Sequence, residues 1–121
     1  MTRGEMAAEV SKGIVRLFGE YYGRGPVKAK TFLLDNYAMT VLEDTLTTAE
    51  STLAKAGRES LVRDFRIAFQ AEMGGRFKAV VELATGRSVL TYQSQIMFDP
   101  DVCIEFFVLD GPPETGDHSG D

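Results

Sequence analysis

The chain has 121 residues, of which 44% are hydrophobic and 26% charged, and its formal net charge is −5. This length and composition are typical of one globular domain and exclude a globally disordered chain. The acidic charge argues against nucleic-acid binding, and the short apolar runs argue against membrane insertion or a signal peptide. We therefore expect a cytoplasmic protein. Its single cysteine, Cys103, excludes an internal disulfide.

Residues 1–110 are predicted to form the domain, and residues 111–121 are predicted to form a disordered acidic tail. The tail contains two prolines, three glycines and no large apolar side chain, so burial could not offset the entropy lost on ordering it. The only histidine, His118, lies in this tail. We therefore expect no histidine-based catalytic or metal site, and no cofactor.

The first element is predicted to be an amphipathic helix over residues 3–22, because its apolar residues recur at the spacing of one helical face. Thr2 and Glu5 have the spacing of a capping box, and Gly23 is a suitable C-terminal cap. Pro26 then ends the helical conformation, because it disfavours a helical residue before it.

A β-hairpin is predicted next, from residues 27–34 and 37–44, with its turn at Asp35-Asn36. A two-residue loop would place Leu34 opposite Tyr37 and, at the open end, Lys28 opposite Glu43. A slip of one residue in this register would exchange the two faces.

Two helices follow. Thr47 and Glu50 predict a capping box for a short helix that ends near Gly57, and a longer helix is expected over residues 58–84. The pair Gly74-Gly75 inside this longer helix predicts a kink or a break, because each glycine costs about 1 kcal/mol relative to alanine.

Two final strands are expected over residues 88–98 and 102–109. In the first, Leu90, Tyr92, Ile96 and Phe98 are predicted to share one apolar face. The second is almost continuously apolar apart from Glu105, which is typical of a central or doubly covered strand. The order αββααββ predicts an α+β, two-layer domain in which a long helix packs on an antiparallel sheet.

Basic residues at chain reversals are the candidate ligand-binding residues. If the ends of the elements meet in space, they would form an anion-binding patch, helped by a helix N-terminus near Arg58. The alternative is a solvated charge pattern. The patch would contain Arg24, Lys28, Lys30 and Arg87, with Arg58, Arg63 and Arg66 at the start of the long helix.

No constellation of catalytic residues is evident in the sequence. Cys103 lies in an apolar strand, where a small buried hydrophobe is expected rather than a nucleophile. An enzyme that uses carboxylate and arginine chemistry remains the alternative, with Glu50, Glu82 and Arg87 as its candidate residues.

Several short motifs, in their order and spacing, resemble the bacterial MpsC-like family, named after a proposed sodium-translocating, membrane-potential-generating system. The resemblance covers residues 5–110 and rests on Gly23-Arg24-Gly25-Pro26, Leu46-Thr47-Thr48-Ala49-Glu50, Glu82-Leu83-Ala84-Thr85-Gly86-Arg87, and Asp99-Pro100-Asp101 before Phe106-Phe107-Val108-Leu109. The matching family positions are Gly23, Arg24, Gly25, Pro26, Thr47, Glu50, Thr85, Gly86 and Arg87. Arg24 and Arg87 are the best functional candidates among them, because the others have structural explanations.

The resemblance implies a soluble accessory or regulatory module of an ion or inorganic-carbon transport system. Such a module would be non-enzymatic and would bind a partner protein, either a membrane protein or a signalling protein, or a small anion. We also expect a homodimer, because both sides of the last strand are apolar and one of them needs a second cover. A monomer remains possible if the first two helices supply that cover.

Overall fold

The computed structural model describes residues 1–26 and 28–114, and within them three helices and four strands follow the predicted order. The fold is therefore a mixed α+β domain with an antiparallel sheet and a long helix. The elements are α1 (Arg3–Tyr22), β1 (Lys28–Leu34), β2 (Tyr37–Glu43), α2 (Thr48–Lys55), α3 (Glu59–Thr85), β3 (Val89–Phe98) and β4 (Asp101–Leu109).

The four strands pair in the order β1-β2-β4-β3, and every pairing is antiparallel. The predicted hairpin register is confirmed, with Leu34 opposite Tyr37 and Lys28 opposite Glu43. The last strand, β4, is central as its apolar sequence predicted.

Local capping signals explain where the helices begin and end. Both predicted capping boxes are present: the Thr2 hydroxyl accepts from the backbone N–H of Glu5, and the Thr47 hydroxyl accepts from that of Glu50. Gly86 ends α3 in the left-handed conformation, with φ of 72°, a region that favours glycine.

Of the kink or break expected at Gly74-Gly75, the break is wrong, because α3 runs unbroken from Glu59 to Thr85. Gly74 is buried beneath β3, where an added Cβ would lie 3.3 Å from Cε2 of Tyr92. The missing side chain therefore lets the helix approach the strand closely. Burial of residues such as Phe77 and Val81 offsets the low helix propensity of the two glycines.

The prediction that Leu90 lies on the apolar face of β3 is wrong. The register shifts between Val89, which pairs with Leu109, and Thr91, which pairs with Val108. Leu90 is thus the extra residue of a β-bulge and is 67% exposed. A bulge shifts the alternation of the two faces by one residue. The pattern of apolar residues in the sequence does not reveal such a shift.

Helices α1 and α3 cover one face of the sheet. Phe18 of α1 stacks on Phe77 of α3 with ring centroids 5.8 Å apart, and Phe107 and Leu109 of β4 are fully buried beneath them. The partly buried hydroxyl of Ser11 on α1 lies 2.7 Å from that of Thr31 on β1, so even-numbered β1 residues point to the opposite side.

The opposite side is hereafter the outer face. It is formed by the residues that alternate with the buried ones, and no described element packs over them. Several large apolar side chains remain exposed there, including Phe32 at 37% and Leu34 at 65%. The outer-face residues of the three apolar strands are Lys28, Lys30, Phe32, Leu34, Tyr37, Met39, Val41, Glu43, Val102, Ile104, Phe106 and Val108.

Residues 111–114 follow β4 and lie against the end of α3, where the backbone N–H of Glu114 donates to the carbonyl of Thr85 at 2.9 Å. The rest of the predicted tail, residues 115–121 with His118, lies outside the described residues. None of the helices that the structure describes has the length and hydropathy needed to cross a bilayer.

Candidate functional site

The predicted basic residues lie at separate places on the sheet. Arg24 donates to the carbonyl of Leu46 at 2.8 Å and to the carboxylate of Asp44 at 3.2 Å. Its side chain therefore ties the end of α1 to the segment that follows β2. Lys28 and Lys30 lie on the outer face at the edge strand β1.

Arg87 lies at the opposite end of the sheet from Arg24. Strand β3 begins beside Arg87, and Val89 pairs with Leu109 at the end of β4. The Arg87 guanidinium donates from Nε to the carbonyl of Pro112 and lies 3.9 Å from the carboxylate of Glu114. The structure therefore does not bring Arg24 and Arg87 into one anion-binding patch.

The other positions that match the family motifs have structural roles. Gly23 and Gly86 are left-handed helix caps. The Thr85 hydroxyl donates to the carbonyl of Val81 at 2.7 Å and accepts from the backbone N–H of Arg87 at 3.3 Å. These contacts account for the motif at the end of α3 without a ligand.

The three candidate residues of the alternative enzyme do not converge. Glu50 contacts Arg66, whereas Glu82 accepts a hydrogen bond from the backbone N–H of Val89 at 2.8 Å. A helix rises about 1.5 Å per residue, so positions 66 and 82 of α3 are separated by about 24 Å. Glu50 therefore cannot act on the same small substrate as Glu82.

The structure instead assembles a buried ionic cluster that the sequence analysis missed. The Arg66 guanidinium donates to both carboxylate oxygens of Glu50, at 2.6 and 2.7 Å, and to the carbonyl of Thr45 at 3.0 Å. Its central carbon lies 4.3 Å from the ring centroid of Tyr22, a cation–π distance. The cluster joins α1, α2 and α3.

Hydrogen bonding decides the charge state of this pair. Burial by itself would raise the pKa of the Glu50 carboxyl, but hydrogen bonds from Arg66 and Thr47 outweigh it and lower that pKa. Burial would likewise lower the pKa of Arg66, and the Glu50 carboxylate raises it instead. Both groups are therefore charged at neutral pH.

Glu105 is a third buried charged residue, at 1% exposure on the central strand. The Tyr92 hydroxyl donates to its Oε2 at 3.0 Å, and the Cys103 thiol lies 3.9 Å from its Oε1. Burial raises the pKa of Glu105 to about 7, although hydrogen bonds from Ser94 and Tyr92 act in the opposite direction. Its carboxyl is therefore poised to gain or lose a proton near neutral pH.

Glu105 belongs to a polar row that crosses the helix-covered face of the sheet. Thr31, Thr40, Glu105 and Ser94 occupy one register position on the four strands. The Thr31 and Thr40 hydroxyls lie 2.8 Å apart. The sequence feature that pointed to this row was the single acidic residue, Glu105, in an apolar strand. The alternation of side chains along the strand did not show which face of the sheet Glu105 occupies.

A cavity of about 60 Å³ lies between α3 and β3, and Glu105 and Arg66 both line it. Glu105 and Cys103 form its floor on β4, and Arg66 is part of its α3 wall. Arg63, Gln70 and Gln95 also line it. The cavity therefore combines a carboxyl, an arginine, hydroxyls and aromatic rings in one space.

Cys103 does not provide a nucleophile in this cavity. The thiol is 1% exposed, and burial raises its pKa, with the neighbouring Glu105 carboxylate adding to the increase. A protonated thiol is a poor nucleophile. The sequence interpretation of Cys103 as a small buried hydrophobe agrees with its place in the core.

The fold and these sites define a small α+β domain with an apolar sheet face that no described element covers and a polar cavity between α3 and β3. Residues 2–111 match a family model described as "Na+-translocating membrane potential-generating system (MpsC)". Because the match covers nearly the whole chain, the chain belongs to the MpsC family, as its sequence motifs suggested. A search of the curated proteins and a search of the solved structures found no match.

Proposed function

We propose that the chain is a non-enzymatic accessory component of a Na+-translocating, membrane-potential-generating system and that it works as a homodimer. The family description supports the connection with such a system. The observation that carries the proposal of a binding role is the outer face, an apolar surface without a cover among the described elements. The predicted cytoplasmic location is part of the same proposal.

The outer face has the composition of a protein interface. Tyr37 and Phe106 stack there with ring centroids 5.9 Å apart, and a groove of about 180 Å³ runs between Phe32, Leu34 and these rings. Monomeric proteins rarely leave contiguous apolar surfaces of this kind open to water, and such surfaces usually mark interaction sites. Burying this groove against a partner would remove the aromatic surface from water.

A second copy of the chain is the occupant that suits the charges around this face. Lys28 and Lys30 lie at one edge of it, and Glu43 lies beside them on β2. A twofold contact brings the same surface of both copies together, so one face that carries both signs can pair with itself. The lysines also discourage open-ended pairing along the edge strand β1.

Light scattering on the purified full chain over a dilution series tests the dimer. We expect a mass near twice the 13.3 kDa of one chain and a mass near one chain for the double variant Phe32→Lys, Leu34→Lys. The matched control is Leu83→Lys, because Leu83 on α3 is 88% exposed and lies away from the outer face. A wild-type chain that stays monomeric at every concentration would contradict the proposal.

A cellular measurement tests the accessory role separately. In cells that depend on their own copy of this gene, we expect deletion to reduce the membrane potential that a dye reports after Na+ addition. The wild-type gene and Leu83→Lys should restore the response, whereas the double outer-face variant should not. An unchanged response after deletion would remove the connection with Na+ translocation while leaving the dimer untouched.

No observation favours the small-anion version or the enzyme. Arg24 and Arg87 are engaged with neighbouring carbonyls and carboxylates, and Glu50, which contacts the N-terminal half of α3, lies away from Glu82 at the other end of that helix. Binding of a small anion through Arg24, Lys28, Lys30 or Arg87 stays a prediction from the sequence. Calorimetric titration of the chain with phosphate and bicarbonate, compared with Arg24→Ala and Arg87→Ala, would test it.

A further inference from the structure

We propose that the cavity between α3 and β3 is a binding site for one small monovalent cation, with the carboxylate of Glu105 as its principal ligand. This inference is independent of the outer face and of the dimer. It rests on the balance of charges around the cavity, on the hydrogen bonding of Glu105 and on the space beside it.

The charges around the cavity do not cancel when Glu105 is ionised. Arg66 carries one positive charge, and Glu50 neutralises it through two short hydrogen bonds. At the mouth, Arg63 is matched by Glu59, whose oxygen lies 4.0 Å away. Glu105 forms an ion pair with none of the described residues. One negative charge therefore remains.

Neutral groups alone donate to the Glu105 carboxylate. From β3 this is the Tyr92 hydroxyl and from β4 the Cys103 thiol, and the Ser94 hydroxyl lies 3.8 Å from that thiol. The remaining charged or titratable groups that face it are Arg66 on α3, Tyr22 on α1 and, through Arg66, Glu50 on α2. On β2 the neutral Thr40 pairs with Glu105. A carboxylate has about four acceptor positions, so capacity remains on the cavity side.

An isolated buried carboxylate is costly, and proteins relieve the cost by protonation or by binding a cation. Glu105 is 1% exposed and forms an ion pair with none of the described residues, so a positive charge beside its ionised carboxyl would relieve this cost. A proton is the simplest such charge. A small cation can replace it if there is room for the ion and oxygen ligands to surround it.

The cavity supplies both the room for an ion and the oxygen ligands around it. Its volume of about 60 Å³ corresponds to roughly two water molecules at about 30 Å³ each. Oxygen ligands suited to a hard cation come from Glu105, the Ser94 and Tyr92 hydroxyls and the Gln70 amide, all of which line the cavity. An anion would add a second uncompensated negative charge, so a cation is the favoured ligand.

Proton release from Glu105 in different salts tests the site. The full chain is labelled with ¹³C at the glutamate carboxyl carbons, and the Glu105 resonance is assigned by its loss in Glu105→Gln. Its titration midpoint is then compared in equal concentrations of NaCl, KCl and choline chloride. Because the cation and proton compete, we expect Na+ or K+ to lower the midpoint by about 0.5 unit relative to choline, a threefold effect.

Two serine variants provide the matched comparison. Ser94→Ala removes a cavity oxygen and should abolish the salt dependence, while Ser51→Ala on α2 should keep it. If Glu105→Gln fails to fold, the resonance is assigned by its change in Tyr92→Phe. Equal midpoints in the three salts would overturn the proposal.

Discussion

Arg66 on α3 and Glu50 on α2 form a buried ion pair in which Nε lies 2.6 Å from Oε2 and Nη2 lies 2.7 Å from Oε1. Each side chain is 7% exposed. Glu50 also accepts from the backbone N–H of Thr47 at 2.9 Å, so one carboxylate both caps α2 and holds α2 to α3. The arrangement makes the short helix dependent on a residue sixteen positions later in the chain.

Removing one member of this pair should destabilise the domain strongly. We expect Glu50→Gln or Arg66→Met to lower the free energy of unfolding by about 3–5 kcal/mol, because the remaining charged or polar group stays buried without its partner. The double variant should lose less than the sum of the two single losses. Urea unfolding at neutral pH measures all three values.

The exposed pair Glu59 and Arg63 on α3 is the control for this comparison of single and double variants. Glu59 and Arg63 lie 4.0 Å apart, and both are 46% exposed. Exposed pairs of this kind contribute about 0.5 kcal/mol or less, so the equivalent cycle should show little coupling. Additive losses at Glu50 and Arg66 would mean that the buried pair does not act as a unit.

Stability should fall as the pH rises through neutrality, relative to Glu105→Gln. The pKa of Glu105 is raised from 4.5 to about 7 in the folded chain, so the folded state binds the proton more tightly than the unfolded state. The stabilisation by protonation is complete below about pH 4.5 and is lost as the pH rises through 7, for a total of about 3 kcal/mol.

This pH effect is measured by urea unfolding between pH 5 and pH 8 in choline chloride, which keeps small cations out of the comparison. The window lies above the range in which the lowered pKa of Glu50 would contribute. Parallel pH profiles for the wild type and Glu105→Gln would show that Glu105 keeps an ordinary pKa in the folded protein.

The two adjacent glycines of α3 should respond differently to alanine. An added Cβ at Gly75 meets no atom within 4 Å, whereas at Gly74 it lies 3.3 Å from Cε2 of Tyr92. Gly75→Ala should therefore stabilise the helix by about 1 kcal/mol. Gly74→Ala should stabilise the helix less than Gly75→Ala or should destabilise the domain, because the Tyr92 side chain must move. Equal rises in Tm for the two variants would contradict the close approach of α3 to β3.

The contact of α1 with α3 depends on another glycine. A Cβ at Gly13 would lie 2.6 Å from Cγ1 of Val80, so Gly13→Ala should destabilise the domain by about 1–3 kcal/mol through overpacking. The variant Val80→Ala should relieve the clash when it is combined with Gly13→Ala. Gly4→Ala, where the nearest atom lies 3.9 Å away, is the control, and calorimetric unfolding gives the values. A Gly13→Ala chain as stable as Gly4→Ala would mean that the helices are not in tight contact.

The sequence by itself determined the features that depend on neighbouring residues. The capping boxes at Thr2 and Thr47, the turn at Asp35-Asn36 and the left-handed cap at Gly86 each involve groups within a few positions of one another. Their hydrogen bonds and backbone conformations are local. The order of elements followed from these signals together with the apolar pattern, which also favoured a central or doubly covered place for β4.

Only the tertiary structure decided which groups meet across the fold. Alternation shows that Glu105 and Phe106 point to opposite sides of β4, but it does not say which side the helices cover. The packing of α1 and α3 assigns Glu105 to the cavity and Phe106 to the outer face. The same packing gives Glu50 its partner Arg66 and keeps α3 continuous at Gly74, because long-range burial outweighs local propensity there.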